Sequence, residues 1–152
     1  MITDNRYLLN EGSLPISPVE DRSLNILTLE RAEGAFVHLI VTRDSLLPGE
    51  DLDSCANRQL KALARQAQGF KEEFRQTIEV GPGGLPGLLL ETRFKQQGQQ
   101  IYQCQTIVQF PDGKQLIFTL NNPAPIDDRL REQWRALLAG FIPAGQSGEG
   151  DG

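Results

Sequence analysis

The stretch DRSLNILTLE, residues 21–30, alternates like a β-strand but carries apolar side chains on both of its faces. Successive side chains on a strand point to opposite sides, so Leu24 and Ile26 fall with Thr28, while Leu27 and Leu29 fall with Asn25. An antiparallel sheet of a small domain ordinarily buries one face and wets the other. Both faces of this strand want cover, and the fold turns on what covers the second one.

Working outward, alternation and turn residues place strands at 23–29, 36–43, 74–80, 88–95, 100–110 and 115–121, with 6–9 as an edge piece. Glu33 and Gly34, Gln97 and Gly98, and Asp112 and Gly113 mark the tight turns. Two segments have helical periodicity instead. Residues 51–68 follow the Pro48 and Gly49 turn and stop at Gly69, with Leu52, Ala56, Leu60, Leu63 and Ala67 on one side. Acidic Glu50, Asp51 and Asp53 suit the positive end of that helix. Near the C-terminus, Leu130, Trp134, Leu137, Leu138 and Phe141 form a buried stripe, capped by Asp127 or Asp128 and stopped by Pro143. The reading is one α+β domain over residues 1–143: a twisted antiparallel meander of about six strands with two main helices. Residues 144–152, AGQSGEGDG, read as a disordered acidic, glycine-rich tail.

One sheet face collects Val37, Leu39, Val41, Tyr102, Cys104, Val108, Phe110, Leu116, Phe118 and Leu120, and the Trp134 stripe is its expected cover. The opposite face collects Leu24, Ile26, Thr28, Phe36, His38, Ile40, Thr42, Gln103, Gln105, Ile107, Ile117 and Thr119. A solvated face would carry Lys, Glu and Arg; here the polar members are hydroxyls, amides and one imidazole. Three occupants fit such a face: the first helix, a homodimer seam, or an apolar partner that also accepts hydrogen bonds, such as a membrane-spanning helix of another protein.

Composition narrows the function. With 152 residues, 39% hydrophobic and 23% charged, the chain is one soluble globular domain without a membrane-length apolar run, and a cytoplasmic location is expected. A net charge of −5 argues against nucleic acid as a partner. Cys55 and Cys104 are expected to be reduced, buried thiols. His38, the sole histidine, has no second ligand at metal spacing, and strand alternation sets it on the opposite face from Cys104, so neither a metal site nor a thiol nucleophile pair is expected. GPGGLPG at 81–87 lacks the Lys-Ser/Thr ending of a phosphate cradle and reads as a loop. No enzyme signature and no cofactor motif remains.

The short motifs YLLNEGSLPI, DRSLNIL, TRD (42–44), RQL (58–60), Gly69 with Phe70, and the Gly98 hairpin leading to Gln105 occur in the order and spacing of one family. Across residues 6–142 the sequence resembles the Eag (effector-associated) chaperones of bacterial type VI secretion, whose fold is similar to that of PsbP. The resemblance implies a cytoplasmic homodimer that binds the N-terminal transmembrane helices of a PAAR or Rhs-type effector, keeping it soluble until it is loaded on the VgrG spike. It also implies an effector-binding groove made of Leu24, Ile26, His38, Ile40, Thr42, Gln59, Leu63 and Gln105. His38 and Ala67 depart from the family pattern, which expects a small hydroxyl and a larger aliphatic residue there. A carrier of a small hydrophobic ligand, or a scaffold that docks a soluble domain, would use the same concavity.

Overall fold

A computed structural model describes residues 7–9, 12–15, 24–30 and 36–143. The Glu33–Gly34 turn, the side chain of Phe36 and the 144–152 tail lie outside the residues and side chains described. The elements run β1 (Tyr7–Leu9), β2 (Gly12–Leu14), β3 (Asn25–Glu30), β4 (Phe36–Ser45), α1 (Leu52–Gln66), β5 (Gln68–Val80), β6 (Leu85–Gln96), β7 (Gln99–Gln109), β8 (Lys114–Asn122) and α2 (Asp128–Ala139). The α+β class with six antiparallel strands and two helices is as expected. The expected edge piece at 6–9 is not part of the main sheet: β1 pairs with β2 in a ribbon of its own, because a three-residue strand finds its partner across the adjacent turn.

The main sheet has the order β3-β4-β8-β7-β6-β5, antiparallel throughout. β5 to β8 form a meander, and the β3–β4 hairpin adds to the β8 side, so α1 carries the chain from one side of the sheet to its far edge. The Gln97–Gly98 turn is a two-residue hairpin with both φ positive, 52° and 79°, which matches the twist of the strands it joins.

Packing fills both faces at the β6–β7–β8 centre. On one face Leu39, Val41, Leu89, Cys104, Val108, Phe118 and Leu120 meet Leu130, Trp134 and Leu138 of α2. Trp134 Nε1 donates to the buried Thr106 hydroxyl at 2.9 Å, so the indole fills the core without an orphaned N–H. Leu137, expected in the buried stripe, is instead exposed, because the sheet receives only the narrow line through Leu130, Trp134 and Leu138. α2 is capped by Asp127, ends at Gly140 before reaching Pro143, and leaves Phe141 to pack edge-on against Phe110 and Phe118. One charged group enters this core: Glu91, held by two hydrogen bonds from Arg131 at 2.7 and 2.9 Å. Burial, helped by the Glu91 charge, pushes the Cys104 thiol up to about 12, so it is not a thiolate at neutral pH.

On the other face α1 lays Ala56 and Leu60 over Leu88, Leu90, Ile107 and Ile117, with Leu52 and Phe70 alongside. α1 stops at Gln66, with Ala67 as its cap and β5 following at once; Gly69, expected as the stop, sits inside β5 at φ 61°. Its N-terminus is fixed by Asp51, which accepts from the Ser54 N–H, and by Glu50, which accepts from the Leu47 N–H and from Arg58 at 2.7 and 3.1 Å. These bonds, with Arg58 the largest contributor, hold the Glu50 carboxyl below its ordinary value. The sheet lies between the two thiols, since Cys104 faces α2 and Cys55 bonds Gln115 beneath α1.

Three outcomes are expected. Gly81 has φ 73° and donates to the Leu138 carbonyl at 3.0 Å, and a Cβ there would run into the Phe141 carbonyl oxygen; Gly81→Ala should therefore cost at least about 2 kcal/mol in urea unfolding. Arg131→Met strands the buried Glu91 carboxylate and should cost roughly 2–4 kcal/mol, much of it regained when Glu91→Gln is added. A depressed carboxyl stabilises above its ordinary pKa and loses that contribution as pH falls through the folded value, so unfolding free energy should decline as pH drops below the ordinary carboxylate range, less steeply in Glu50→Gln.

Candidate functional site

The α1 face of the sheet is covered at one side and open at the other. The row Ile26, Ile40, Thr119, Gln105, Leu90 crosses five strands in register, from β3 to β6. Exposure is 61% at Ile26 and 0% at Leu90, with Ile40 half-buried. Among the described residues, α1 therefore shelters β6, β7 and the near part of β8 on this face, leaving Ile26 of β3 exposed and Ile40 and Thr42 of β4 half-buried. The open part holds Leu24 (56% exposed), Ile26, Thr28 and His38, with half-buried Ile40 and Thr42 as its floor.

Register brings six of the eight expected groove residues to one face: Leu24 at the end of β3, Ile26, His38, Ile40, Thr42 and Gln105. Gln59 and Leu63 lie on α1, both half-buried. Gln59 Nε2 donates to Asp44 Oδ2 on β4 at 3.2 Å, which sets the Gln59 side of α1 as the wall beside this floor. Ile107 and Ile117, expected on the same face, lie under α1, the first of the occupants that face allowed, because they share strand centres with the leucines of β6.

The polar groups of this face are already engaged with one another. Gln105 Nε2 donates to Thr119 Oγ1 at 3.1 Å, Gln103 Nε2 to Asn121 Oδ1 at 2.9 Å, and Thr28 Oγ1 lies 3.2 Å from His38 Nδ1. Gln59 Nε2 is also 3.3 Å from Cys55 Sγ. Among the described side chains, the floor is thus a set of short amide and hydroxyl pairs within an apolar surface, charged at its α1 end, where Asp44 meets Arg58 at 3.7 Å. Sequence reading missed Asp44; strand parity with Thr42 would have found it. Such a surface can bury an apolar guest and exchange an internal hydrogen bond for one to the guest. His38 and Cys104 stand on opposite faces, as alternation indicated.

A second concavity lies on the α2 face, beyond the end of that helix. It is a cleft of about 580 Å³ floored by Phe110, Leu116 and Phe141, with Arg43 and Lys114 among its lining residues. Arg43 Nη1 donates to Asn25 Oδ1 at 2.6 Å.

Among solved structures, the chain is similar to PA94 of Pseudomonas aeruginosa, a protein of unknown function, with a TM-score of 0.70 and 22% identity over 93% of this chain and 97% of that one. LpqN of Mycobacterium tuberculosis, involved in cell envelope biogenesis, aligns at TM-score 0.45 and 15% identity over 79% of this chain and 82% of that one. None of the curated proteins matches. The DcrB family model matches residues 11–140, and DcrB proteins share the PsbP-like fold. The chain belongs to the DcrB family.

Proposed function

We propose that this DcrB-family chain is an Eag-type chaperone of type VI secretion, which holds the N-terminal transmembrane helices of a PAAR or Rhs-type effector and hands the soluble effector to the VgrG spike. The observation that carries the reading is the bare, ion-poor half of the α1 face, where Leu24 and Ile26 stand exposed over Ile40 and Thr42 beside the Gln59 wall. Water-soluble sheets rarely leave such a surface uncovered without a partner for it. A transmembrane helix supplies both apolar area and small polar groups that can accept a hydrogen bond from Gln105 or Gln59. Burying about 500 Å² of apolar surface at ~25 cal/mol per Å² is worth on the order of 12 kcal/mol before ordering costs. The work needs no reaction, and the reading assigns the chain no enzymatic role. It places the chain in the cytoplasm, where its clients are made.

The α2-side cleft favours a second reading, a carrier of a small hydrophobic ligand, since its volume falls within the usual range for such sites. Native mass spectrometry of the purified protein separates the two: a co-purifying lipid-sized molecule supports the carrier.

The test uses a labelled 20-residue apolar helix with lysines at its ends, which precipitates alone. Wild-type protein should keep it in the supernatant. Leu24→Asp with Ile26→Asp should lower its affinity at least about tenfold while circular dichroism stays unchanged. Undiminished retention by the double mutant would reject the groove.

A further inference from the structure

The cleft beyond the end of α2 has a floor and a rim of opposite chemistry. Two neighbouring rows of the sheet build it, with Leu116 opposite Arg43 in one and Lys114 opposite Ser45 in the next. Alternation sets Arg43, Lys114 and Leu116 together on the α2 face. Phe141, which follows α2, completes the floor by packing edge-on against Phe110, ring centroids 6.3 Å apart. The side chains of Phe110, Pro111, Leu116 and Phe141 offer no hydrogen-bonding group. Arg43 and Lys114 bring two positive charges to the lining against one negative charge from Asp112, in a chain whose net charge is −5. Asp112 is turned toward its own hairpin: Oδ1 accepts from the Lys114 N–H at 3.0 Å, and Oδ2 stands 4.0 Å from Lys114 Nζ with both side chains well exposed. An exposed pair at that distance is weak and easily exchanged. Arg43 is half-buried, and its bond to Asn25 Oδ1 holds the guanidinium on this face.

We propose that this cleft binds a single-chain amphiphile with an anionic head, of the fatty-acid carboxylate class, its tail over Phe110, Leu116 and Phe141 and its head at Arg43 and Lys114. The floor buries methylenes at a gain, whereas the backbone of a peptide or the hydroxyls of a sugar would lie on it without partners, at a cost for each. The rim selects the head. A carboxylate matches the planar fork of a guanidinium and takes a further charge-assisted bond from an ammonium, while a cationic head would be repelled and a neutral one would leave both charges without a counter-charge. A volume of about 580 Å³ suits one such molecule. The proposal deepens the carrier reading of the cleft and rests on it; the guest groove lies on the opposite face of the sheet and takes no part.

Titration calorimetry of the full chain at neutral pH with decanoate, 1-decanol and decyltrimethylammonium, which share one tail and differ in the charge of the head, tests it. Decanoate should bind saturably, one per chain, and at least about tenfold more tightly than either of the others. Arg43→Gln with Lys114→Gln should abolish that preference and leave the affinity for 1-decanol unchanged. Lys114→Gln alone, a change at an exposed side chain that leaves the fold intact, should already reduce it several-fold. Leu116→Trp, which fills the cleft, should weaken all three, with circular dichroism checking that the fold persists. Leu24→Asp with Ile26→Asp, on the other face, should leave decanoate binding as it is. Equal binding of decanoate and 1-decanol, or a preference that survives both glutamines, overturns the anionic head while the carrier reading stands. Loss of decanoate binding in the Leu24 and Ile26 variant overturns the location. If none of the three ligands binds saturably, both the proposal and the carrier reading fall.

Discussion

Two short helices must cover two faces of a six-stranded sheet, and they cannot. At about 4.8 Å per strand the sheet is roughly 24 Å wide at each level, while a helix with its side chains spans about 10–12 Å. Each helix therefore covers about half of one face. Both settle over the β6–β7–β8 centre, where Leu88, Leu90, Ile107 and Ile117 face α1, and Leu89, Cys104, Val108 and Phe118 face α2. Of the β3–β4 hairpin, Leu39 and Val41 are buried in the α2-side core, while Leu24 and Ile26 stand exposed on the α1 side and form the surface on which the proposed function stands.

The polar chemistry is arranged around the same imbalance. In the covered region the polar groups pair across elements, Trp134 with Thr106, Arg131 with Glu91 and Cys55 with the Gln115 carbonyl oxygen, though the buried Gln115 Nε2 has no hydrogen-bond partner among the described residues. Toward the open region the pairs are amide with hydroxyl, and hydroxyl with imidazole. Neutral pairs of this kind are modest in net worth and cost little to exchange for an equivalent bond to a partner. An ion pair on the same floor would have to be desolvated as the guest arrived. The chain keeps its Arg58 and Asp44 pair at the α1 margin, off the apolar floor.

Much of this was legible in the residues alone, and the reason is parity. Strand alternation is local, so it assigned Leu24, Ile26, His38, Ile40, Thr42 and Gln105 to one face without knowledge of any neighbour, and the registers agree. The hairpin turns at Gln97–Gly98 and Asp112–Gly113, and the Leu130, Trp134, Leu138 line, were likewise readable, because φ preference and helical period are properties of short segments. Alternation cannot say which apolar residue on a face lies under a helix and which lies in the open. Ile107 and Ile26 look alike in sequence, and only the lateral position of their strands separates them.

The sequence by itself determined the α+β class, the two-sided character of residues 21–30 and the nearly ion-free composition of the second face, since each follows from side-chain chemistry at fixed spacing. Only the tertiary structure decided that β4 pairs with β8, that α1 crosses to the far edge and covers just the centre, and that Gln59 and Gln105 are already hydrogen-bonded within the chain. Those facts depend on contacts between segments far apart in the chain, where the outcome is set by which apolar surfaces bury one another most completely.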